Sequence, residues 1–282
     1  MRILVTGADG FIGSHLTRAL EDEGHEVVCH TIKDGDISKK NALDSFEDIE
    51  HVYHLAGRAF VPASWDNTHD YFQTNIMGTV TALEFCRNNS CSVTMMSTYV
   101  YGEPQYLPVD EKHPVVAVSP YHESKIACEG ICAFYSRKLG VRVAVLRAFN
   151  VYGKGQSEAF LMPKIYSQVM NNSVKEIFVM DLEPKRDYVY IDDVIGALIA
   201  TLKAPKLFAI YNVGSGVSTS VEDVILNISQ ATGVFKPYHS TNEKRVSEIS
   251  DCVADISRIK ADLGFVPGFT LQEGLKAWHE AK

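Results

Sequence analysis

The 282-residue chain has no excess of basic charge: 27 Lys and Arg stand against 35 Asp and Glu, for a net charge of -8. That argues against a nucleic-acid surface, where phosphate neutralisation needs clustered cations. It leaves room for an anionic small molecule, which a few well-placed arginines can hold. The six cysteines (Cys29, Cys86, Cys91, Cys128, Cys132 and Cys252) include no pair with zinc-finger spacing. Cys128 and Cys132 fall one turn apart on an expected helix. The set reads as reduced, buried thiols rather than a metal site or disulfides. No apolar run is long enough to span a bilayer, and no signal segment precedes the first expected strand. Repeats and low-complexity tracts are also missing. A soluble cytoplasmic protein is expected, with no metal, nucleic-acid or membrane partner.

What is present is a 46% hydrophobic composition, enough for one large domain or two unequal ones. The chain begins Met-Arg-Ile-Leu-Val-Thr-Gly-Ala-Asp-Gly-Phe-Ile-Gly. Ile3-Leu4-Val5 reads as a strand buried on both faces. Gly7, Gly10 and Gly13 follow at a spacing of three, and a helical pattern opens at Phe11-Ile12. A strand, a glycine turn and a helix N-terminus make an anion site, because the first helical N–H groups lack partners and the dipole favours negative charge. The glycines allow a tight turn, close approach of a pyrophosphate and close helix–strand contact.

Further strands are expected at Glu26–His30, His51–Leu55, Ser92–Ser97 and Arg142–Arg147, with helices near Phe11–Glu23, His69–Asn88 and Tyr121–Lys138. This alternation implies an α/β fold: a doubly wound parallel sheet covered by helices on both faces, with ligands at the C-terminal strand ends. The second half is less regular. A helix starting at Ile191, a strand at Ala209–Val213 and helices at Ser220–Ala231, Ser257–Leu263 and Leu271–Ala281 are expected. Gly153–Gly155 and Gly214–Gly216 are candidate crossings between lobes.

Tyr121 and Lys125 are four apart and share a helix face. A nearby ammonium favours a phenolate, which would make Tyr121 a usable proton shuttle. An ordinary amphipathic pair has the same spacing. Ser97, at the C-terminal end of its strand, would sit in the ligand crevice beside Tyr121. A local turn bond is the alternative.

Several ordered motifs now converge: Thr6-Gly7-x-x-Gly10-x-x-Gly13, His54-Leu55-Ala56-Gly57, Asn75-Ile76-Met77-Gly78-Thr79, Ser97 to Gly102, Tyr121 to Lys125, Arg147 to Gly153, Arg186 to Val194 and Tyr211 to Gly216. On them the chain resembles, over nearly its whole length, the extended short-chain dehydrogenase/reductases, specifically the NAD-dependent epimerase/dehydratase group acting on nucleotide sugars. The resemblance implies a Rossmann-type sheet over residues 1–150, to which 187–211 return. A smaller α/β C-terminal lobe, 151–186 and 212–282, would hold the nucleotide sugar. It implies Tyr121 as acid/base, Lys125 on the nicotinamide ribose and Ser97 completing the triad. Gly7, Gly10, Phe11, Ile12, Gly13, Thr31, Leu55, Ala56, Gly57 and Asn75 would line an NAD or NADP site, with Asp36 and Ile37 at the adenine. Thr98, Tyr99, Asn150, Arg186 and Arg245 would contact the substrate, the arginines because fork-shaped guanidinium groups suit a diphosphate. Arg245 stands in a looser match, Arg245-Val246-Ser247-Glu248. A homodimer through the helices near His69–Asn88 and Tyr121–Lys138 is also implied.

Two departures from the family narrow the reaction. Its NAD-binding members carry an Asp at the end of the second strand, where this chain has Thr31, with Lys33 nearby. NADP therefore stays open beside NAD. Its dehydratases carry an acid pair just after the Ser/Thr, at positions here held by Thr98 and Tyr99. Neither can serve as the carboxylate that elimination needs. The leading expectation is a nucleotide-sugar 4-epimerase. The alternatives are a 4-keto-sugar reductase and, from another class, a nucleotide-binding sensor or scaffold without turnover.

Overall fold

The hydrophobic runs of the first half form a parallel sheet in the computed structural model, which describes residues 1–243 and 249–281. In chain order the first half runs β1 (Arg2–Thr6), α1 (Phe11–Asp22), β2 (Glu26–His30), β3 (His51–His54), α2 (Val61–Asp66), α3 (Thr68–Phe72), α4 (Gly78–Asn89), β4 (Ser92–Thr98), α5 (Pro120–Leu139) and β5 (Val143–Ala148). The second half runs β6 (Asn150–Tyr152), α6 (Leu161–Met170), β7 (Ile177–Val179), β8 (Lys185–Tyr190), α7 (Ile191–Ala200), β9 (Phe208–Val213), β10 (Ser218–Ser220), α8 (Val221–Thr232), β11 (Tyr238–Ser240), β12 (Asp251–Cys252), α9 (Ser257–Leu263) and α10 (Leu271–Glu280).

The main sheet has the order β2-β1-β3-β4-β5-β9, and every pairing is parallel. Side chains alternate between its faces as the pleat requires. Ile3, Val5 and Tyr53 pack with Leu16 and Leu20 of α1 and Val194 and Leu198 of α7. Leu4, Val52 and Val93 face the other way, onto Leu83 and Phe85 of α4 and Cys128 and Cys132 of α5. Helices thus cover both faces, and the sheet is doubly wound. Each fully buried Leu or Val contributes about 1.5–3 kcal/mol relative to exposure. The strand order switches sides at β1, with β2 on one flank and β3 on the other, which puts the topological switch point at the C-terminal ends of β1 and β3, beside the glycine turn.

A second sheet, β10-β8-β12 with β6 also paired to β8, lies beyond β5 in the chain, and β7 pairs with β11. These strands are two to six residues long, and most are too short to show a periodic pattern. The helix anticipated near His69–Asn88 is interrupted. Between α3 and α4, Gln73–Met77 winds as a π-turn, which carries Asn75 into the interior at 1% exposure. π-bulges of this kind are frequent at functional sites. α5 is delimited by local chemistry: the Ser119 hydroxyl accepts the His122 N–H, Pro120 occupies the first turn, and Gly140 ends it at φ +76°. No described helix is long and apolar enough to cross a membrane.

Candidate functional site

The glycine turn is sterically closed. Gly7 takes φ +69°, and a Cβ there would come within 2.8 Å of the Ala56 nitrogen; one on Gly13 would come within 2.1 Å of the Gly7 carbonyl oxygen. Gly7 N–H donates to His30 O (2.8 Å) and Gly10 N–H to Gly7 O (3.0 Å). Gly10 is the N-cap of α1 and supplies no side-chain cap. The first-turn N–H groups, from Phe11 onward, have no acceptor within the helix, so this end is suited to a pyrophosphate. Gly13→Ala is expected to cost about 1–3 kcal/mol or more of stability by overpacking and to weaken dinucleotide binding sharply. Thermal unfolding and NADH fluorescence titration measure the two.

The end of β3 supplies the opposite wall. Ala56 N–H donates to Thr6 Oγ (3.2 Å), continuing a link from Thr6 to His54. A Cβ on Gly57 would lie 3.0 Å from Asn75 Oδ1 and 3.7 Å from Lys125 Nζ. Gly57, Asn75 and Lys125 therefore meet over one small space. Asn75 accepts from Arg58 N–H (2.8 Å) and donates to Arg58 O and Ser124 Oγ, so its amide clamps the loop after β3. Lys125 Nζ donates to Met96 O (2.9 Å), which holds the ammonium at the C-terminal end of β4. Its enclosure pushes its pKa down, opposed by Cys128 and Glu129.

Tyr121 is buried at 7% exposure, and burial raises its pKa well above the ordinary phenol value. The hydrogen-bonding group that counters this is the Thr98 hydroxyl. The Ser97 Oγ donates to Glu129 Oε1 (2.6 Å) in the interior. Glu129 in turn receives Arg147 through Nε and Nη2, the closest contact 2.6 Å. Arg147 also donates to Tyr101 Oη (3.0 Å), and Tyr101 to Asn212 Oδ1 (2.5 Å). This chain of charge-assisted bonds ties α5 to β5 and β9. It engages the Ser97 hydroxyl, expected from the sequence beside Tyr121, with Glu129; Thr98 is the neighbour whose hydroxyl works against the rise in the Tyr121 pKa.

Tyr99 stacks on Phe149 with centroids 5.1 Å apart and donates to Asn150 Oδ1 (3.3 Å). Arg186 lies close enough to pull the Tyr99 pKa down against the rise caused by burial. Tyr99, Asn150 and Arg186 are thereby gathered together. The neighbouring Asp187 is structural. Its carboxylate accepts the N–H groups of Ser215, Gly216 and Ala254 and so holds the Gly214–Gly216 turn. Arg245 lies outside the described residues.

At the end of β2, the Thr31 N–H and hydroxyl both donate to Asp34 Oδ2, each at 2.8 Å. Asp36 Oδ1 accepts the Ser38 N–H (2.9 Å), and Ile37 is buried against Gly78. Asp34 thus closes a local Thr-x-x-Asp turn. The Arg58 guanidinium reaches Asp70 at 3.5 Å, and the Asp36 carboxyl is held below its usual range by its bonds to Ser38 first, with a smaller pull from Arg58. Among the described residues, no cluster of His, Cys, Asp or Glu is arranged to hold a metal.

A family model described as the NAD dependent epimerase/dehydratase family matches residues 3–214. A putative UDP-glucose 4-epimerase of Methanocaldococcus jannaschii is 32% identical, with 97% of this chain and 96% of that protein covered. Among solved structures, RMD from Pseudomonas aeruginosa complexed with NADPH superposes with a TM-score of 0.91 at 26% identity, covering 99% of this chain and 97% of that one. The UDP-glucose 4-epimerase of Thermus thermophilus in complex with NAD gives 0.89 at 28% identity, covering 99% and 98%.

Proposed function

The chain belongs to the NAD dependent epimerase/dehydratase family, and from that premise we propose that it is a nucleotide-sugar 4-epimerase using NAD or NADP. The observation that carries this is Lys125 Nζ standing over Gly57 at the end of β3, with Tyr121 one turn before it on α5 and Thr98 at the end of β4. The closed glycine cradle and the uncapped α1 N-terminus fit a dinucleotide pyrophosphate. Leu55, Ala56, Gly57, Asn75 and Lys125 would hold its nicotinamide ribose end, and Asp36 and Ile37 its adenine end.

A bound nicotinamide supplies reversible hydride acceptance at the sugar carbon. Tyr121 Oη removes the C4 hydroxyl proton and gives it back after the sugar turns over. The Thr98 hydroxyl shares that hydrogen bond and lowers the cost of the phenolate. Lys125, pinned to Met96 O, would fix the ribose. Asn150, Tyr99 and Arg186, joined by Arg245, would hold the diphosphate in the lobe formed by 151–186 and 212–282. The positions where the family's dehydratases carry an acid pair hold Thr98 and Tyr99, and Glu129 is committed to Arg147.

The assembly proposed is a cytoplasmic homodimer through α4 and α5. The 56% exposure of Phe134 on α5 supports a covered face there, and free thiols throughout suit a reducing compartment. Incubation with UDP-, GDP- and dTDP-hexoses tests the activity. One of them is expected to give its C4 epimer without net cofactor turnover. Stoichiometric oxidation of reduced cofactor by a 4-keto sugar, with no epimer formed, would assign the reductase reaction instead.

A further inference from the structure

We infer that Glu129 is a positioning residue for the proposed proton-transfer site: its buried pairing with Arg147 fixes the face of α5 that carries Tyr121 and Lys125 against the end of β4. This rests on the proton-transfer reading above. Tyr121, Lys125 and Glu129 stand four residues apart on α5 and share one of its faces. Ser124, Cys128 and Cys132, along the same stripe, are all buried. A carboxylate belongs in such a place only when it is paired.

The partner comes from the sheet. Glu129 is 6% exposed and Arg147, on β5, 4%. Arg147 Nε donates to Oε1 at 3.0 Å and Nη2 to Oε2 at 2.6 Å. Two parallel bonds of this kind fix orientation as well as distance. The Ser97 hydroxyl adds a third bond from β4, at 2.6 Å. The guanidinium is held in its turn. Its Nη1 donates to Tyr101 Oη (3.0 Å), its Cζ lies 5.0 Å from the centre of the Tyr101 ring, and Tyr101 donates to Asn212 on β9.

Consecutive residues of β4 are thus gripped by residues one turn apart on α5. Met96 O takes the Lys125 ammonium (2.9 Å), and Ser97 takes the Glu129 carboxylate. Apolar contact between a helix and a sheet is non-directional, whereas these bonds are satisfied in one register. Stability does not account for the pair, because well-packed apolar residues of similar volume are often as stable as a buried ion pair or more so. What the pair adds is placement. A misplacement of about 1 Å at reacting groups costs on the order of 10²-fold in rate. Glu129 acts through Tyr121 and Lys125 and meets neither sugar nor cofactor.

Glu129→Gln leaves Arg147 without its counter-charge and is expected to lose thermal stability and turnover together. Two further variants separate placement from stability. Glu129→Leu with Arg147→Met replaces the pair by apolar volume, and its thermal midpoint is expected to return close to that of the unaltered protein. Arg147→Lys keeps the charge and loses the fork. In both, kcat is expected to stay about tenfold or more below the unaltered protein, with the KM for the nucleotide sugar little changed. NADH titration by fluorescence reads the displaced Lys125 without turnover. Its affinity is expected to fall by about three- to tenfold, part of the worth of one hydrogen bond to a charged group. If kcat and NADH affinity recover whenever the midpoint does, the pair is structural only and the inference is overturned, with the epimerase reading intact. If the unaltered protein binds NADH but epimerises no nucleotide sugar, the epimerase reading falls, and the NADH titration still decides the role of Glu129.

Discussion

Tyr121→Phe is expected to lower kcat by about 10²–10⁴-fold, the usual contribution of a positioned acid/base. The substitution removes one oxygen from a buried ring that also packs edge-on against Tyr71, so the packing is kept. Cofactor affinity should hardly change, because Gly7, Gly13, Asn75 and the α1 N-terminus remain. The KM for the nucleotide sugar should rise little. The loss therefore falls on kcat, as expected when an interaction made in the transition state is removed. Thr98→Val should fall in the same direction by a smaller factor, whereas the Ser97 network predicts a different signature. Ser97→Ala leaves a buried acceptor on Glu129 short of one donor and should lower stability before it touches chemistry. Steady-state kinetics with a thermal melt for each variant separate the two. Tyr121→Phe turnover equal to the unaltered protein would contradict the assignment.

Acidification from pH 7 to pH 5 is expected to remove on the order of 5 kcal/mol of folding stability, through three buried neutral histidines. His51 is held at a pKa of about 3 and His122 at about 4, both by burial. His54 is also held at about 3, by burial first and then by the Lys125 charge. Their ring nitrogens meet hydroxyls, not carboxylates: Ser92 and Thr94 for His51, Thr6 and Thr79 for His54, Ser119 for His122. An imidazolium at any of them would lack a counter-ion in a low-dielectric interior. The unfolded chain takes up these protons near pH 6.5, and the folded protein refuses them until pH 3–4. Stability is therefore complete above 6.5 and falls as the pH drops below it, by about 2 kcal/mol per histidine at pH 5. His30, also depressed by burial, acts in the same direction. Asp187, Asp193 and Glu111, whose pKa values burial raises, take up protons in the folded state first and offset part of the loss. Urea midpoints at pH 7, 6 and 5 measure the sum. A midpoint constant to pH 5 would contradict the burial of neutral imidazoles.

Local chemistry was the part legible from the chain. The β1–glycine–α1 unit and the Tyr121–Lys125 spacing each lie within one or two turns, and each appears where it was expected. The doubly wound sheet followed from apolar runs alternating with helical patterns; β9 completes it beside β5, while β8 pairs in the second sheet. Features set by distant partners were not legible. The partner of the Ser97 hydroxyl was one such feature: Glu129 stands 32 residues away in the chain and accepts its bond. The π-turn that buries Asn75 left no mark on the helical period. Most strands of the second sheet were missed because two or three residues show no alternation.

The central claim is that hydrogen leaves C4 of the sugar and returns to the same carbon from the other face. A nucleotide hexose deuterated at C4, chosen from the sugar panel, tests it in one mass-spectrometric and NMR measurement. The account predicts a C4 epimer that keeps its deuterium at C4, with no free reduced cofactor formed. Deuterium lost to solvent, or transferred once to a cofactor that then departs, would contradict it.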